Sequence, residues 1–327
     1  MIVKTYPDYL SHHGIKGQKW GVRRYQNADG SLTELGKKRY SSSGALDATE
    51  NMKYYNETRK NSAKARVELS KNNIFTSGKK KTERSDNMLK ASLLERDARL
   101  SFKKEKVLIK AGSKVDRVTT GIDEDKLKRL YVSVHDDPNA TNYYNHVWPK
   151  YLKYFSGSDQ TKVFRNLYTT KTDIIAPSEE ERQNIIHNLV MADRKSKQTI
   201  GKEYSLGLFR GDFGDNTIKS KSDIVKKFVD TYGVSEQLAK KRVETMMQQD
   251  HDFITNANLS KEDRSRAFYS AIPTNNKLMD LYIKELKKAG YNAVFDDNAG
   301  SSSDAPFIVF DPKVLEKISE KDISDYW

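Results

Sequence analysis

Leu278-Met279-Asp280-Leu281-Tyr282-Ile283-Lys284-Glu285-Leu286, then Gly290-Tyr291-Asn292-Ala293-Val294-Phe295-Asp296-Asp297-Asn298, then Phe307-Ile308-Val309-Phe310-Asp311-Pro312 is the run that decides the fold class. Leu278, Met279, Tyr282, Ile283 and Leu286 recur every three or four residues, which makes one apolar face of a helix, and Gly290 is placed to stop it. Two β-type runs follow, Tyr291–Phe295 and Phe307–Phe310, joined by the polar loop 296–306.

The mixed α/β texture reaches back to Gly112. Val115–Thr120 and Leu130–Val134 are short β-type runs rich in branched residues. Ser178 and Glu181 have the spacing of a capping box and lead a helix with Ile185, Ile186, Leu189 and Val190 on one face. Ser222 and Ser235 are expected to cap two more helices, the second carrying Leu238, Val243, Met246 and Met247. No internal repeat is evident.

Upstream the texture changes. Residues 41–110 read as a serine-rich linker followed by helices, with Leu89, Leu93, Leu94, Leu100, Val107 and Leu108 at roughly helical spacing between charges. Thr76-Ser77-Gly78 is expected to end one helix before Lys79-Lys80-Lys81. The apolar stripe is thin, so this length reads as a helical arm or a coil against a partner. Residues 1–40 contain glycine too often for a regular helix or strand, and Asp29-Gly30 is turn chemistry. The expected architecture is α+β: an irregular segment 1–40, a basic helical arm or linker 41–110, and a mixed α/β body 111–327.

Composition sets further limits. The chain has 327 residues, 36% hydrophobic and 31% charged, a balance that leaves some length without a core of its own. It has no cysteine, which removes disulfides and thiolate-held metal sites. The N-terminus reads as lacking a signal peptide, and no apolar run is long enough to span a bilayer. The net charge of +13 is confined to the first third: residues 1–110 hold 25 Lys/Arg against 12 Asp/Glu, residues 111–327 hold 33 against 33. A basic arm on a neutral body points to a polyanionic neighbour, either nucleic acid or the acidic wall of an assembly.

The N-terminal segment runs His12-His13-Gly14-Ile15-Lys16-Gly17-Gln18-Lys19-Trp20-Gly21-Val22-Arg23-Arg24-Tyr25, closes with Asn27-Ala28-Asp29-Gly30-Ser31-Leu32-Thr33, and continues to Tyr40. It resembles a module of proteins encoded in the head and structural gene clusters of phages and prophages of Firmicutes. That resemblance implies a virion-associated protein, found in the virion or the host bacterial cytoplasm, with phage head or other virion proteins as partners. His12-His13 lacks cysteine and a nearby acidic cluster, so no metal is expected there.

A second resemblance covers residues 111–327. An Arg on an early strand (Arg117), a Tyr-x-Ser strand (Tyr131, Ser133) and the closing unit 290–312 resemble ADP-ribosyltransferase-like domains of phage and toxin proteins. This implies a split-sheet fold and NAD as cofactor. Arg117 would hold its phosphates, as a guanidinium fork suits a pyrophosphate. Ser133 would brace the nicotinamide pocket, with Tyr131 beside it. A late acid would stabilise the cation that develops at the ribose. The family places a Glu just before the closing strand, where this chain has Ser303-Asp304-Ala305, so Asp304, Asp296 and Asp297 are the candidate acids.

The enzymatic reading is NAD-dependent modification of a host protein. The alternatives are a degenerate transferase fold kept as an accessory capsid or head protein, or a virion protein that binds DNA through residues 1–110. No membrane partner is expected. Leu208-Phe209-Arg210-Gly211-Asp212 also resembles an early Arg strand but falls after Ser133 in chain order, and a β-hairpin explains it as well. Asp296–Gly300 lacks the ligand spacing of a calcium loop and reads as a turn. His135, His146, His187 and His251 lack Ser or Asp partners at a recognisable spacing. Tyr143, Tyr144, Trp148, Tyr151, Tyr154 and Phe155 form an aromatic patch expected to pack over the sheet.

Overall fold

A computed structural model describes residues 44–119, 127–142, 162–297 and 303–324, with Thr33, Gly36, Lys37 and Tyr40 ahead of them. The glycine-rich segment, apart from those last few positions, and the aromatic patch at 143–155 lie outside the described residues.

Among the described residues the chain is mixed α+β, with two sheets. It opens with β1 (Leu46–Asp47) and the long helices α1 (Ala48–Ser70) and α2 (Gly78–Lys104), which form a hairpin. Next come β2 (Val107–Ile109), β3 (Lys114–Thr119), β4 (Leu130–Val134), the short α3 (Pro138–Asn142), β5 (Phe164–Thr170) and β6 (Ile174–Ala176). A helical block follows: α4 (Glu179–Met191), α5 (Arg194–Phe213), α6 (Lys221–Tyr232), α7 (Glu236–Thr255), α8 (Lys261–Ala271) and α9 (Asn276–Lys288). The chain returns to β7 (Ala293–Phe295), β8 (Pro306–Val309) and β9 (Leu315–Asp322). The sheet orders are β1-β2-β6 and β7-β8-β4-β3-β5-β9.

The large sheet is antiparallel throughout, so directly paired residues share a face and strand neighbours alternate. Ala293, Phe295, Phe307, Val309, Val132, Val134 and Val115 enter a core closed by Met52 and Tyr55 of α1, Ala98 and Phe102 of α2, and the small sheet. Val294 and Ile308 face the other way, into a core built by α4, α5, α8 and α9. The closing strands therefore carry apolar residues on both faces, and the sheet is their shared wall. A third, smaller core joins Leu206 and Phe209 of α5 to Ile224, Val225 and Val243 of α6 and α7. Asn292 ties the sheets together: its Oδ1 accepts from Ile175 N (2.6 Å) and its Nδ2 donates to the Asp173 carbonyl (2.8 Å).

Several expectations are met residue for residue. Leu130–Val134 is a strand, Ser178 and Glu181 form a reciprocal capping box, and Ser235 caps α7. Others change. Ser77 starts α2 as its N-cap instead of ending α1. Val107 and Leu108 lie in β2, because their apolar spacing crosses the helix end at Glu105. Ser220, not Ser222, caps α6, using Asp223 three residues on. Residues 208–212 lie inside α5, and Arg210 donates to the Ile218 and Thr274 carbonyls, so that stretch is neither an arginine-bearing strand nor a hairpin. Residues 46–55 and 98–109 contribute buried side chains to the core they share with the large sheet.

Glycine lets another backbone come close to α5 at Gly207. A Cβ on Gly207 would sit 2.7 Å from the Ala271 carbonyl oxygen and 2.9 Å from its Cβ, whereas one on Gly211 meets nothing within 4 Å. Gly207→Ala is therefore expected to lower stability by about 1–3 kcal/mol through overpacking. Gly211→Ala, in the same helix, should raise it by up to about 1 kcal/mol. Thermal denaturation of both variants checks the contrast.

Candidate functional site

Two antiparallel strands, β3 and β4, carry the cofactor-binding candidates. Asp116 pairs directly with Ser133, and Arg117 with Asn166 across β3–β5. Alternation then puts Ser133 and Tyr131 on the Asp116 face and Arg117 on the Val115 face, toward the α1–α2 core. Arg117 is buried and donates from Nη1 to the Tyr131 carbonyl at 3.2 Å. Ser133 is buried and donates to Ser303 Oγ (2.9 Å), which donates to Asp137 Oδ2 (2.7 Å). That same carboxylate oxygen accepts from the backbone N–H groups of Asp304 and Ala305, and its other oxygen caps α3 through Asn139 and Ala140. Ser133 thus belongs to a buried clamp that fixes the entry to β8. Tyr131 is 46% exposed.

The acids occupy different surroundings. Asp304 accepts from the Tyr55 hydroxyl at 2.8 Å and lies 3.8 Å from Arg99. Asp297 is bound by Arg182 and faces Lys103 Nζ at 3.0 Å. Asp296 is buried where β7 ends, and its N–H donates to the Pro306 carbonyl. The fold brings Ser133 and the Asp304 backbone to one clamp. It separates Arg117 from Ser133 by a sheet face, and it commits the Asp297 side chain to the helical block.

Around Asp297 lies a polar cleft of about 370 Å³, lined by Lys103, Glu179, Gln183, Ser265, Arg266 and Tyr269 among others. Its inner wall is Arg182, which is 1% exposed. The guanidinium sits between the Tyr269 and Phe295 rings, 5.8 Å from each centroid, and donates to the Lys103 carbonyl at 3.1 Å. Burial opposes its charge, but the polar groups beside it, Tyr269 and Asp297, outweigh that and hold the guanidinium above its ordinary value. Burial pushes the phenols of Tyr269 and Tyr282 up, and the two hydroxyls hydrogen-bond at 2.7 Å. This network escaped sequence reading because the groups Arg182 bonds to lie 79 to 115 residues from it along the chain.

A second missed group is His135. Its Nδ1 lies 2.7 Å from Asp116 Oδ2, and Arg165 clamps the same carboxylate through Nε (3.3 Å) and Nη2 (3.1 Å). Only the β3–β4 and β3–β5 pairings bring these three together, so no spacing along the chain announces them. Among the described residues no cluster of three or more His, Cys, Asp or Glu could hold a metal ion, and no helix is long and apolar enough to cross a membrane.

A family model described as a family of unknown function (DUF7211) matches residues 3–27. Comparison with curated proteins and with solved structures finds no match.

Two stability measurements probe these assignments. Asp297→Ala leaves the Arg182 charge buried without its carboxylate and should cost about 3–5 kcal/mol, whereas Arg182→Met/Asp297→Leu should cost less than the single change. Urea denaturation decides between them. Burial pushes the Asp304 carboxyl up, Asp137 adds to this, and Tyr55 and Arg99 act against it. A carboxyl raised on folding binds more protons in the native state. Its contribution is complete below the unfolded value and is lost as pH rises through the folded one. Asp304→Asn should therefore flatten the fall in stability that begins above about pH 4 and leave the neutral-pH protein at least as stable, as read by urea titration at each pH.

Proposed function

We propose that this chain is a virion-associated accessory protein of a phage or prophage head cluster, whose body is a transferase-like fold used for binding and not for catalysis. The phage origin rests on the His12–Tyr25 and Asn27–Thr33 motifs. A split into six- and three-stranded sheets, with the Arg117 strand beside the Tyr-x-Ser strand, favours descent from an ADP-ribosyltransferase-like fold.

The observation that carries the non-enzymatic reading is the engagement of the site residues. Ser133 is hydrogen-bonded inside the Asp137 clamp, Arg117 lies on the opposite face of the sheet, and Asp297 and Asp304 are bound to Arg182 and Tyr55. A transferase needs a guanidinium, a hydroxyl and a carboxylate converging on one dinucleotide. These side chains instead hold loops and helices in place. The docking function falls to the N-terminal segment, with head proteins or DNA as partners.

Incubating the purified full chain with labelled NAD and host lysate tests the reading. No label transfer and no NAD binding by calorimetry are expected, for the wild type and Arg117→Ala alike. Transfer by the wild type that disappears in Arg117→Ala would sink the proposal and restore the enzyme.

A further inference from the structure

The α1–α2 hairpin ends in a tip that the fold does not use. From Ala63 to Asp97 no residue is buried, and at the turn Ile74 and Phe75 are 86% and 89% exposed. Residues 71–81 hold Lys71, Lys79, Lys80 and Lys81 and no acidic residue. Lys79, Lys80 and Lys81 make no ion pair among the described residues; Lys71 pairs with Glu68. Two adjacent bare apolar side chains ringed by lysine differ from a solvated helical turn, whose tip would be polar.

The turn also satisfies part of its own backbone. Asn73 N–H donates to Thr76 Oγ1 and Phe75 N–H to Asn73 Oδ1, both at 3.0 Å, and Thr76 N–H donates to the Asn73 carbonyl. The Thr76 hydroxyl is turned inward onto Asn73 Oδ1 as well. Moving this tip into an apolar medium therefore strands few polar groups, while Ile74 and Phe75 leave water.

We propose that the hairpin tip docks on an anionic lipid surface, with Ile74 and Phe75 entering the headgroup–acyl boundary and the lysines pairing with lipid phosphates. Charge complementarity requires an acidic partner. Nucleic acid would engage the lysines but give Ile74 no favourable contact, and a convex tip needs a yielding surface where a protein would have to supply a fitted pocket. The association is peripheral, and it stands apart from the reading of the body as a non-enzymatic fold.

Co-sedimentation of the full chain with vesicles of phosphatidylglycerol and phosphatidylcholine, against phosphatidylcholine alone, is the test. Binding is expected only to the anionic vesicles. It should fall about tenfold or more in Ile74→Ser/Phe75→Ser and about fivefold for each of Lys79, Lys80 and Lys81 changed to Gln. The exposure of Ile74 and Phe75 keeps the thermal midpoint unchanged, so lost binding cannot be misfolding. Absent binding, or binding indifferent to the Ile74 and Phe75 changes, would overturn the proposal. So would a DNA association that weakens with those two substitutions, which would put nucleic acid in the place of lipid.

Discussion

Burying a guanidinium almost completely is the constraint on which much of this fold turns. An arginine removed from water is tolerated only where its fork and charge are met. Arg182 meets that demand by drawing in the last turn of α2 (Lys103 carbonyl), the end of β7 (Asp297) and α8 (Tyr269), while lying over the Phe295 ring. It stands in the first turn of α4, where Ser178 and Glu181 fix the helix start. One side chain thus pins the helical block to the sheet and to the hairpin. This role also explains why Asp297, one of the three candidate acids, is tied into the packing of the fold.

The sheet imposes the second constraint. Because β7 and β8 are apolar on both faces, helices must cover both, and the chain inserts α4 to α9 between β6 and β7 to cover one of them. The opposite edge behaves differently. β9 pairs only with β5, and all of it but Leu315 is exposed, with Glu316, Lys317, Glu320 and Lys321 along it. Charge on an open edge discourages further strands from adding there.

How much of this could be read in advance depended on whether the signal was local. The closing helix, Gly290 and the strand pair were legible because periodicity, stop and β-runs all lie within about 35 residues. The capping box of α4 was legible for the same reason. By contrast α5 hides behind Gly201, Gly207 and Gly211, which lower helix propensity, although Gly207 is demanded by the approach of Ala271. β9 hides behind an exposed, charged pattern with no alternation. The site residues were legible as types and not as a constellation. Whether Arg117 and Ser133 share a face is a matter of strand register, and register is set by pairing partners far along the chain.

The charge asymmetry of the chain acquires a physical meaning once the pairs are placed. In the body and at its seam with the hairpin, several cations sit in pairs that join elements: Lys103, Lys106, Lys110, Lys227 and Lys277 each face a carboxylate, Arg165 clamps Asp116 and Arg182 binds Asp297. Such pairs hold elements together and project little field. On the outer hairpin Arg66, Lys71 and Arg84 face Glu95 and Glu68, while Lys79, Lys80 and Lys81 form no ion pair among the described residues. Charges left uncompensated in solvent stabilise no fold and raise self-repulsion. The hairpin divides into an inner half that completes the body's core through Met52, Tyr55, Ala98 and Phe102, and an outer half, residues 63–97, with no buried residue, where the proposed docking would fall.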